Sequence, residues 1–415
     1  MNHQRVIITN PDDVKRTRRF IIRLGKTMHE YGTHSYRLEQ LLTETTYLMG
    51  LNGAFLITPT TMNFVFWEDG SEDEITHIAR VRPGGIDLNR LALSHDLAEQ
   101  VIAAQVSLDE GIEQLSQIRN SPNLYSTAQD FLAWGIASAA FAALCGTGML
   151  DVVASLFAGW IIFFLVLYSG RSERMEEMIE PVSALLIGFL ASAAVAVGFQ
   201  INIGIVILAG IITFIPGLSL TLGLRELAAR DLVSGTARIM DSTMTLFKLY
   251  FGAAFGLALS TLFWDIEPHT AEPSMAPWVH YLAALSLSIS LLVIFKIRAS
   301  DAFWGMMSGI IAYLGAEVGS HYFGAELGGL VGAMIVGLYA NAYARIKNTP
   351  SHIVLLPGIV LLVPGSKAFM GLNSVISGQE ILSNASNGAQ IFLTFMALIA
   401  GLMFANVLLP PKNRL

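Results

Sequence analysis

The sequence predicts a mainly α membrane protein: ten transmembrane helices, arranged as two inverted five-helix repeats, preceded by a small cytoplasmic α+β domain. Three observations carry this expectation. Charge falls away after about residue 128, Lys and Arg alternate between the connections of the apolar runs, and a Pro-Gly pair recurs in the fourth run of each half. The expected divisions are 1–128 for the cytoplasmic domain, 129–264 for the first repeat and 265–415 for the second.

Of the 415 residues, 53% are hydrophobic and 14% charged, against about 25% charged in a typical soluble protein. The deficit is local. Residues 1–128 are rich in Arg, Glu, Asp and Gln, whereas from Phe131 onward Ala, Gly, Leu, Ile, Val and Phe dominate. A membrane span needs about 20 apolar residues to cross roughly 30 Å of hydrocarbon, which is the texture of these runs. The net charge of -7 averages two unlike regions. No basic stripe interleaved with aromatics supports nucleic-acid binding. Cys145 is the single cysteine, which excludes a disulfide framework and a cysteine metal site. The first 30 residues lack an apolar core and contain Arg16, Arg18, Arg19 and Arg23. No signal peptide is therefore expected, and the N-terminal domain is expected to stay in the cytoplasm.

Over residues 14–50, Ile21, Leu24, Met28, Tyr31, Leu38, Leu42, Thr45 and Met49 recur at helical spacing, with Ser35 in the one polar gap. That pattern predicts one long helix ending near Gly50 and Gly53. Three runs with strand character follow, Ala54–Thr58, Met62–Trp67 and Ile75–Val81, separated by Pro59-Thr60 and by the turn residues 68–71. A second amphipathic helix is expected over Leu88–Ile118, after Pro83-Gly84-Gly85, with Asn120–Asn123 as a linker. His29, His34, His77 and His95 are dispersed, which favours solvated or hydrogen-bonded histidines over a metal or catalytic set. No Gly-rich phosphate loop and no nucleophile elbow is present. No catalytic residue, cofactor or metal is expected.

Ten spans are read at 129–149, 151–169, 181–199, 201–222, 246–264, 278–296, 301–319, 323–343, 352–371 and 388–408. Only Gln200 separates the third from the fourth, so nine or eleven stay open on hydropathy alone. Positive loops remain cytoplasmic. With the N-terminus inside, the inner connections carry Arg171 and Arg174, then Arg225, Arg230 and Arg238, then Lys296 and Arg298, then Arg345 and Lys347, and the tail carries Lys412 and Arg414. The outer connections, at Leu150-Asp151, Gln200, Asp265–Pro277, Ser320–Tyr322 and 372–387, hold no Lys or Arg; Lys367 alone sits near an outer end. The alternation favours ten spans with both termini cytoplasmic, in the cell's inner (plasma) membrane.

The fourth span of the first half contains Pro216-Gly217, with Gly223-Leu224 downstream; that of the second contains Pro364-Gly365, with Gly371-Leu372 at the same spacing. Ser234-Gly235 and Ser377-Gly378 follow. Five spans per repeat invert the second half, so the first Pro-Gly is expected toward the cytoplasmic face and the second toward the external face. Proline removes a donor and clashes with the preceding turn, and glycine tolerates unusual torsions. The freed backbone groups are tolerable in a membrane only where protein or a water-filled cavity satisfies them. Inverted repeats with interrupted helices are a transporter design; a structural kink packed against its neighbours is the alternative.

Candidate substrate-binding residues are Pro216, Gly217, Ser219, Thr221, Arg225 and Glu226 in the first repeat, and Pro364, Gly365 and Ser366 in the second. Arg225 has the forked donor geometry that holds a carboxylate. Glu226, Asp231 and Asp241 are candidates for proton coupling, although an ion-paired connector with Arg230 and Arg238 explains the same residues. Glu317 and Glu326 flank an external turn with His321 between them. Ionisable groups in spans are functional candidates by default, so both join the proton-coupling set.

These residues resemble the threonine/serine exporter family over nearly the whole chain. The resemblance rests on Gly25, Tyr31-Gly32 and Tyr36-Arg37-Leu38-Glu39, on Gly85-Ile86-Asp87-Leu88, on Pro216-Gly217 leading to Leu232–Arg238, and on Pro364-Gly365-Ser366. It implies a cytoplasmic domain followed by ten spans, and proton-coupled export of threonine, serine or a related small carboxylate. In some members the two halves are separate proteins. This chain has Arg225-Glu226 where an Arg-Asp pair is expected, which leaves substrate choice open. The expected partners are the small-molecule cargo, protons and the lipid bilayer, with a homo-oligomer left open. The competing functions are a hydrolase in the N-terminal domain feeding a pore, for which no nucleophile–base arrangement is visible, and a membrane-anchored regulatory or channel protein.

Overall fold

Two helices stand where the sequence predicted one. In the computed structural model, which describes residues 11–82, 84–265, 275–376 and 381–411, α1 (Pro11–Glu30) and α2 (Ser35–Leu48) are parted at Gly32. Its φ of 94° reverses the chain, a torsion that glycine adopts without a Cβ penalty. The apolar spacing ran through the break because both helices bury their stripes in one core, with Phe20, Leu24 and Met28 beside Leu38 and Leu42. The second predicted helix is likewise two, α3 (Leu88–Ile102) and α4 (Leu108–Asn120). Ser107 starts α4 with a capping box to Glu110, a start signal inside a run with continuous helical periodicity.

Strands β1 (Asn52–Ile57), β2 (Thr61–Trp67) and β3 (Ile75–Arg80) form an antiparallel sheet in the order β1-β2-β3. Phe55 lies opposite Phe64, and Phe64 opposite His77. Met62, Phe64 and Phe66 alternate inward on β2 and cover α1 and α2. A Cβ on Gly25 would lie 2.9 Å from Leu42 Cδ1 and 3.1 Å from Phe64, so glycine lets the helices and sheet close up.

The remaining helices are α5 (Thr127–Leu144), α6 (Met149–Ser169), the short α7 (Glu173–Glu177), α8 (Ile179–Ala196), α9 (Ile203–Gly210), α10 (Gly217–Ala228) and α11 (Leu232–Ser260). The second half holds α12 (Trp278–Ile294), α13 (Ala299–Phe323), α14 (Gly328–Lys347), α15 (His352–Leu362), α16 (Gly365–Ile376) and α17 (Ile381–Leu408). Among the described residues, α6, α8, α11, α14 and Gly388–Leu408 of α17 are each long and apolar enough to cross a membrane. The pair Ile203–Gly210 and Ile212–Ala228 qualifies together as one span, bent by 51°. This is a multi-pass membrane protein.

The same neighbours recur in both halves. α5 packs on α6 as α12 does on α13; α6 on α9 as α13 on α15; α8 on α11 as α14 on α17. The halves meet through equivalent elements: α5 with α12, α10 with α16, and the reciprocal contacts α10 with α17 and α11 with α16. Both fourth segments are broken, α9 from α10 and α15 from α16. α15 itself continues as a helix through Pro357-Gly358, so a Pro-Gly pair alone does not specify a break.

Two of the Lys- and Arg-bearing connections, those at 225–238 and 295–298, meet the N-terminal layer. The Leu88 amide donates to the Phe295 carbonyl at 3.0 Å, and the Tyr125 hydroxyl to the Ile297 carbonyl at 2.7 Å. Lys296 lies 3.5 Å from Asp87, and Arg298 bridges Asp96 at 2.9 Å and Asp301. At the opposite end, Asp151 accepts from the Asn202 amide at 2.6 Å, joining two of the Lys- and Arg-free connections. Ser377-Gly378, most of the Asp265–Pro277 connection and the tail with Lys412 and Arg414 lie outside the described residues.

Candidate functional site

The two Pro-Gly breaks touch. A Cβ placed on Gly217 would lie 2.9 Å from Gly365 Cα and 2.5 Å from Val363 Cγ1; one on Gly365 would lie 3.0 Å from Gly217 Cα. The expectation that the two breaks approach opposite faces is therefore corrected: they share one depth, at the contact between the halves. Neither glycine has a Cβ, so the two backbones approach closely where the halves meet, whereas inverting the second set of five spans had placed the breaks at opposite faces.

Helices α10 and α16 both begin at this contact. The Gly217 amide donates to Ile215 at 2.8 Å, and the helical ladders start at Leu220→Pro216 and Ala368→Pro364, each 2.9 Å. The earlier amides of a helix have no intrahelical acceptor, and proline has no side-chain oxygen to cap them. Two helix N-termini, each equivalent to about half a positive charge, thus converge beside Ser219 and Ser366, both half-buried. Thr221 is fully buried and its hydroxyl donates to the Gly217 carbonyl at 3.0 Å.

Residues 217, 221 and 225 are spaced by four, which places them along one stripe of α10. At about 1.5 Å per residue, Arg225 stands about 12 Å along the helix from Gly217. There the bundle meets the N-terminal layer around a cleft of about 1030 Å³, lined by Tyr36, Arg37, Glu39, Glu44 and Arg225, with Asn406 and Pro410 from the end of the last helix. Glu226, next to Arg225, is buried and takes both donors of Arg238, Nε to Oε2 and Nη2 to Oε1, each at 3.0 Å. Asp231 caps α11 through the Ser234 amide at 3.4 Å. The Ser234 hydroxyl donates to the Ile57 carbonyl at 2.8 Å, while the Ile57 amide donates to Glu39 at 2.6 Å. A chain of hydrogen bonds thus ties α2, β1 and α11 together. Burial, with the Asp231 and Glu226 carboxylates nearby, pushes the Glu39 carboxyl up to about 7.

Of the sequence-predicted residues, the structure brings Pro216, Gly217, Ser219, Thr221, Pro364, Gly365 and Ser366 to the crossing, and Arg225, Glu226 and Asp231 to the cleft end. It does not bring in the other three. Asp241 is exposed on α11, Glu317 is exposed and accepts from Tyr281 at 2.9 Å, and Glu326 is half-buried in the turn before α14. Sequence reasoning missed Tyr36, Arg37, Glu39, His34 and His352 as site residues. The legible signal was the face of α2 with Tyr36, Gln40, Thr43 and Tyr47, where aromatics stand at helical spacing among polar residues. Among the described residues, no group of three or more His, Cys, Asp and Glu is placed to hold a metal ion.

A family model described as a threonine/serine exporter matches residues 19–260, and a second, for the same exporter, matches 279–408. The chain belongs to the threonine/serine exporter family. Its two matches follow one another as the two halves of a fused exporter. The chain is also similar to the pheromone-regulated membrane protein 10 of Eremothecium gossypii, 25% identical over 94% of this chain and 54% of that protein. An uncharacterized protein of Schizosaccharomyces pombe is 23% identical over 93% and 52%, and the Saccharomyces cerevisiae pheromone-regulated membrane protein 10 is 25% identical over 92% and 50%. The chain thus spans about half the length of these relatives. No solved structure matches.

Within this exporter-family chain, the seam between the N-terminal layer and the bundle holds two histidines with their rings in tilted contact. His34 before α2 and His352 at the start of α15 have ring centroids 4.7 Å apart, both buried. Burial first, then Arg238, Arg225 and Arg37, hold His34 well below the usual histidine range. The folded chain therefore keeps His34 neutral, while the unfolded chain protonates it near about pH 6.5. A base with a depressed folded pKa loses stability as pH falls below its unfolded value, by up to about 1.4 kcal/mol per pH unit. Glu39, raised in the fold, works in the opposite sense as pH falls from about 7. The comparison that isolates His34 is wild type against His34→Gln: the wild-type unfolding midpoint should fall more steeply from pH 6.5 to 5. Parallel profiles would refute the assignment.

Proposed function

We propose that this chain is a secondary exporter of a small polar amino acid, threonine or serine, or of a related small carboxylate, driven outward by the proton gradient. In this reading the ten helical segments span the cell's inner membrane as two inverted repeats, with the N-terminal layer and both termini in the cytoplasm. The observation that carries it is the Gly217–Gly365 crossing, where two half-helices begin at one point between the repeats. Convergent N-termini favour an anionic group, and interrupted helices facing each other at a repeat interface are where transporters hold substrate. A carboxylate at the crossing would accept from the free first-turn amides, with the Ser219 and Ser366 hydroxyls beside it. The contact of the basic connections at 225–238 and 295–298 with the N-terminal layer supports cytoplasmic placement of that side.

The test is efflux from cells, with and without the protein, across a panel of amino acids and carboxylates, repeated with an imposed pH gradient in proteoliposomes. Threonine or serine should leave faster with the protein, and collapse of the gradient should remove the difference. Pro216→Ala and Pro364→Ala should each slow efflux while the protein still reaches the membrane. Normal rates in both variants would move the site elsewhere.

A further inference from the structure

Four arginines at or near the seam each have a carboxylate partner, whereas among the described residues Arg37 and Arg225 have none. Arg238 is forked to Glu226, Arg298 bridges Asp96 and Asp301, Arg90 pairs with Asp87 and Arg119 with Glu30. Arg37 and Arg225 line the same cleft from different parts of the fold, one from the first turn of α2 and one from α10. Among the described residues neither guanidinium has an ion pair or hydrogen bond; the nearest carboxylate to Arg225 in sequence, Glu226, has both oxygens committed to Arg238. The two cations are also close to one another: after burial, the Arg225 charge is what pushes the Arg37 guanidinium down. Both are half-buried. Two like charges brought together with partial loss of water are costly, and an oxyanion between them removes that cost with forked hydrogen bonds.

We propose that Arg37 and Arg225 together form a binding station for a small carboxylate at the seam between the N-terminal layer and the bundle, through which cargo enters. Its role in entry rests on the export reading; the binding does not. The Tyr36 hydroxyl, which accepts from Gln40 at 2.9 Å, keeps its own proton to donate on the same side of the cleft. Glu39 and Glu44 line the cleft as well, so an amino acid can place its carboxylate on the arginines and its ammonium toward the acids. The station stands on the same stripe of α10 as Thr221 and Gly217, about 12 Å from the crossing. The N-terminal layer is thereby half of a binding site rather than a separate unit.

The experiment measures binding of threonine and of succinate to the full chain in lipid nanodiscs. Arg37→Gln and Arg225→Gln should each weaken binding about ten- to hundredfold, the loss expected for one charge-assisted interaction. The double variant should lose little beyond either single, because both charges hold one group. Arg119→Gln, away from the cleft, should bind as wild type. Wild-type affinity in both cleft variants overturns the proposal. A measurement on the unmutated protein guards against misfolded variants: threonine or succinate should slow phenylglyoxal modification of Arg37 and Arg225 together, read by peptide mass, and equal modification with and without ligand also overturns it. Proteoliposome efflux separates the two readings. Binding at the pair with no efflux leaves the station and removes the exporter; undiminished efflux in both variants removes the station as an entry and leaves the exporter.

Discussion

Gly217→Leu and Gly365→Leu should each abolish export, and even Gly217→Ala should reduce it at least tenfold. The reason is the backbone approach at the crossing. An alanine Cβ at 217 would stand 2.9 Å from Gly365 Cα, 3.2 Å from its nitrogen and 2.5 Å from Val363 Cγ1. A side-chain end can move; a backbone at a helix start cannot without shifting the helix. Overpacking of this kind costs roughly 1–3 kcal/mol, and tenfold in rate corresponds to about 1.4 kcal/mol. The strain falls on the amides held to meet the carboxylate, so function suffers before folding does. Gly388→Ala serves as control, because a Cβ there meets nothing within 4 Å. Efflux per molecule of membrane-inserted protein is the readout. Wild-type efflux from both Gly217→Ala and Gly365→Ala would show that the close approach carries no function.

The repeat was legible because its marks are one-dimensional. Pro216-Gly217 and Pro364-Gly365 recur with the same downstream spacing, and each stands at a helix break, although Pro357-Gly358 shows that the pair alone does not make one. The strands were legible for a similar reason: the runs are rich in Phe, Val, Ile and Thr and are separated by turn residues, and the observed limits differ from the expected ones by a residue or two. The breaks at Gly32 and at Ala103–Ser107 were hidden, because periodicity continues when two helices share a core. The site was half legible. Thr221 and Arg225 were found from their distance to Pro216. Arg37 read as a polar residue of a soluble helix and His34 as one of several dispersed histidines, since nothing local announces that they meet Arg225 and His352 from segments nearly two hundred and more than three hundred residues away. Charge pairing across elements is a property of the fold, so the sequence left Glu226 open between proton coupling and an ion-paired connector until Arg238 stood opposite it.

That pair supports the other large effect. Arg238→Ala should destabilise the protein by about 3 kcal/mol, near the lower end of the cost of breaking a buried ion pair. The lower end applies because the Arg238 side chain is 22% exposed while that of Glu226 is 5% exposed. Truncating the arginine leaves a buried carboxylate whose two oxygens each lose their hydrogen bond from the fork, and it does so beside Glu39 and Asp231, which already repel one another. Replacing both partners by apolar residues, Arg238→Met with Glu226→Leu, should recover most of the loss, since the penalty belongs to the stranded charge more than to the missing bond. Unfolding of the single and double variants in nanodiscs gives the coupling directly. An additive double variant would mean that the two side chains do not act as a pair. The same variants decide what Glu226 does in transport. If it carries the coupling proton, Glu226→Gln should uncouple efflux from the pH gradient in a protein that remains folded. If its work is to hold α10 against α11, the Met/Leu double variant should export with its pH dependence intact. The bidentate geometry favours the second outcome, because a carboxylate with both oxygens engaged by one guanidinium must break that fork before it can take a proton.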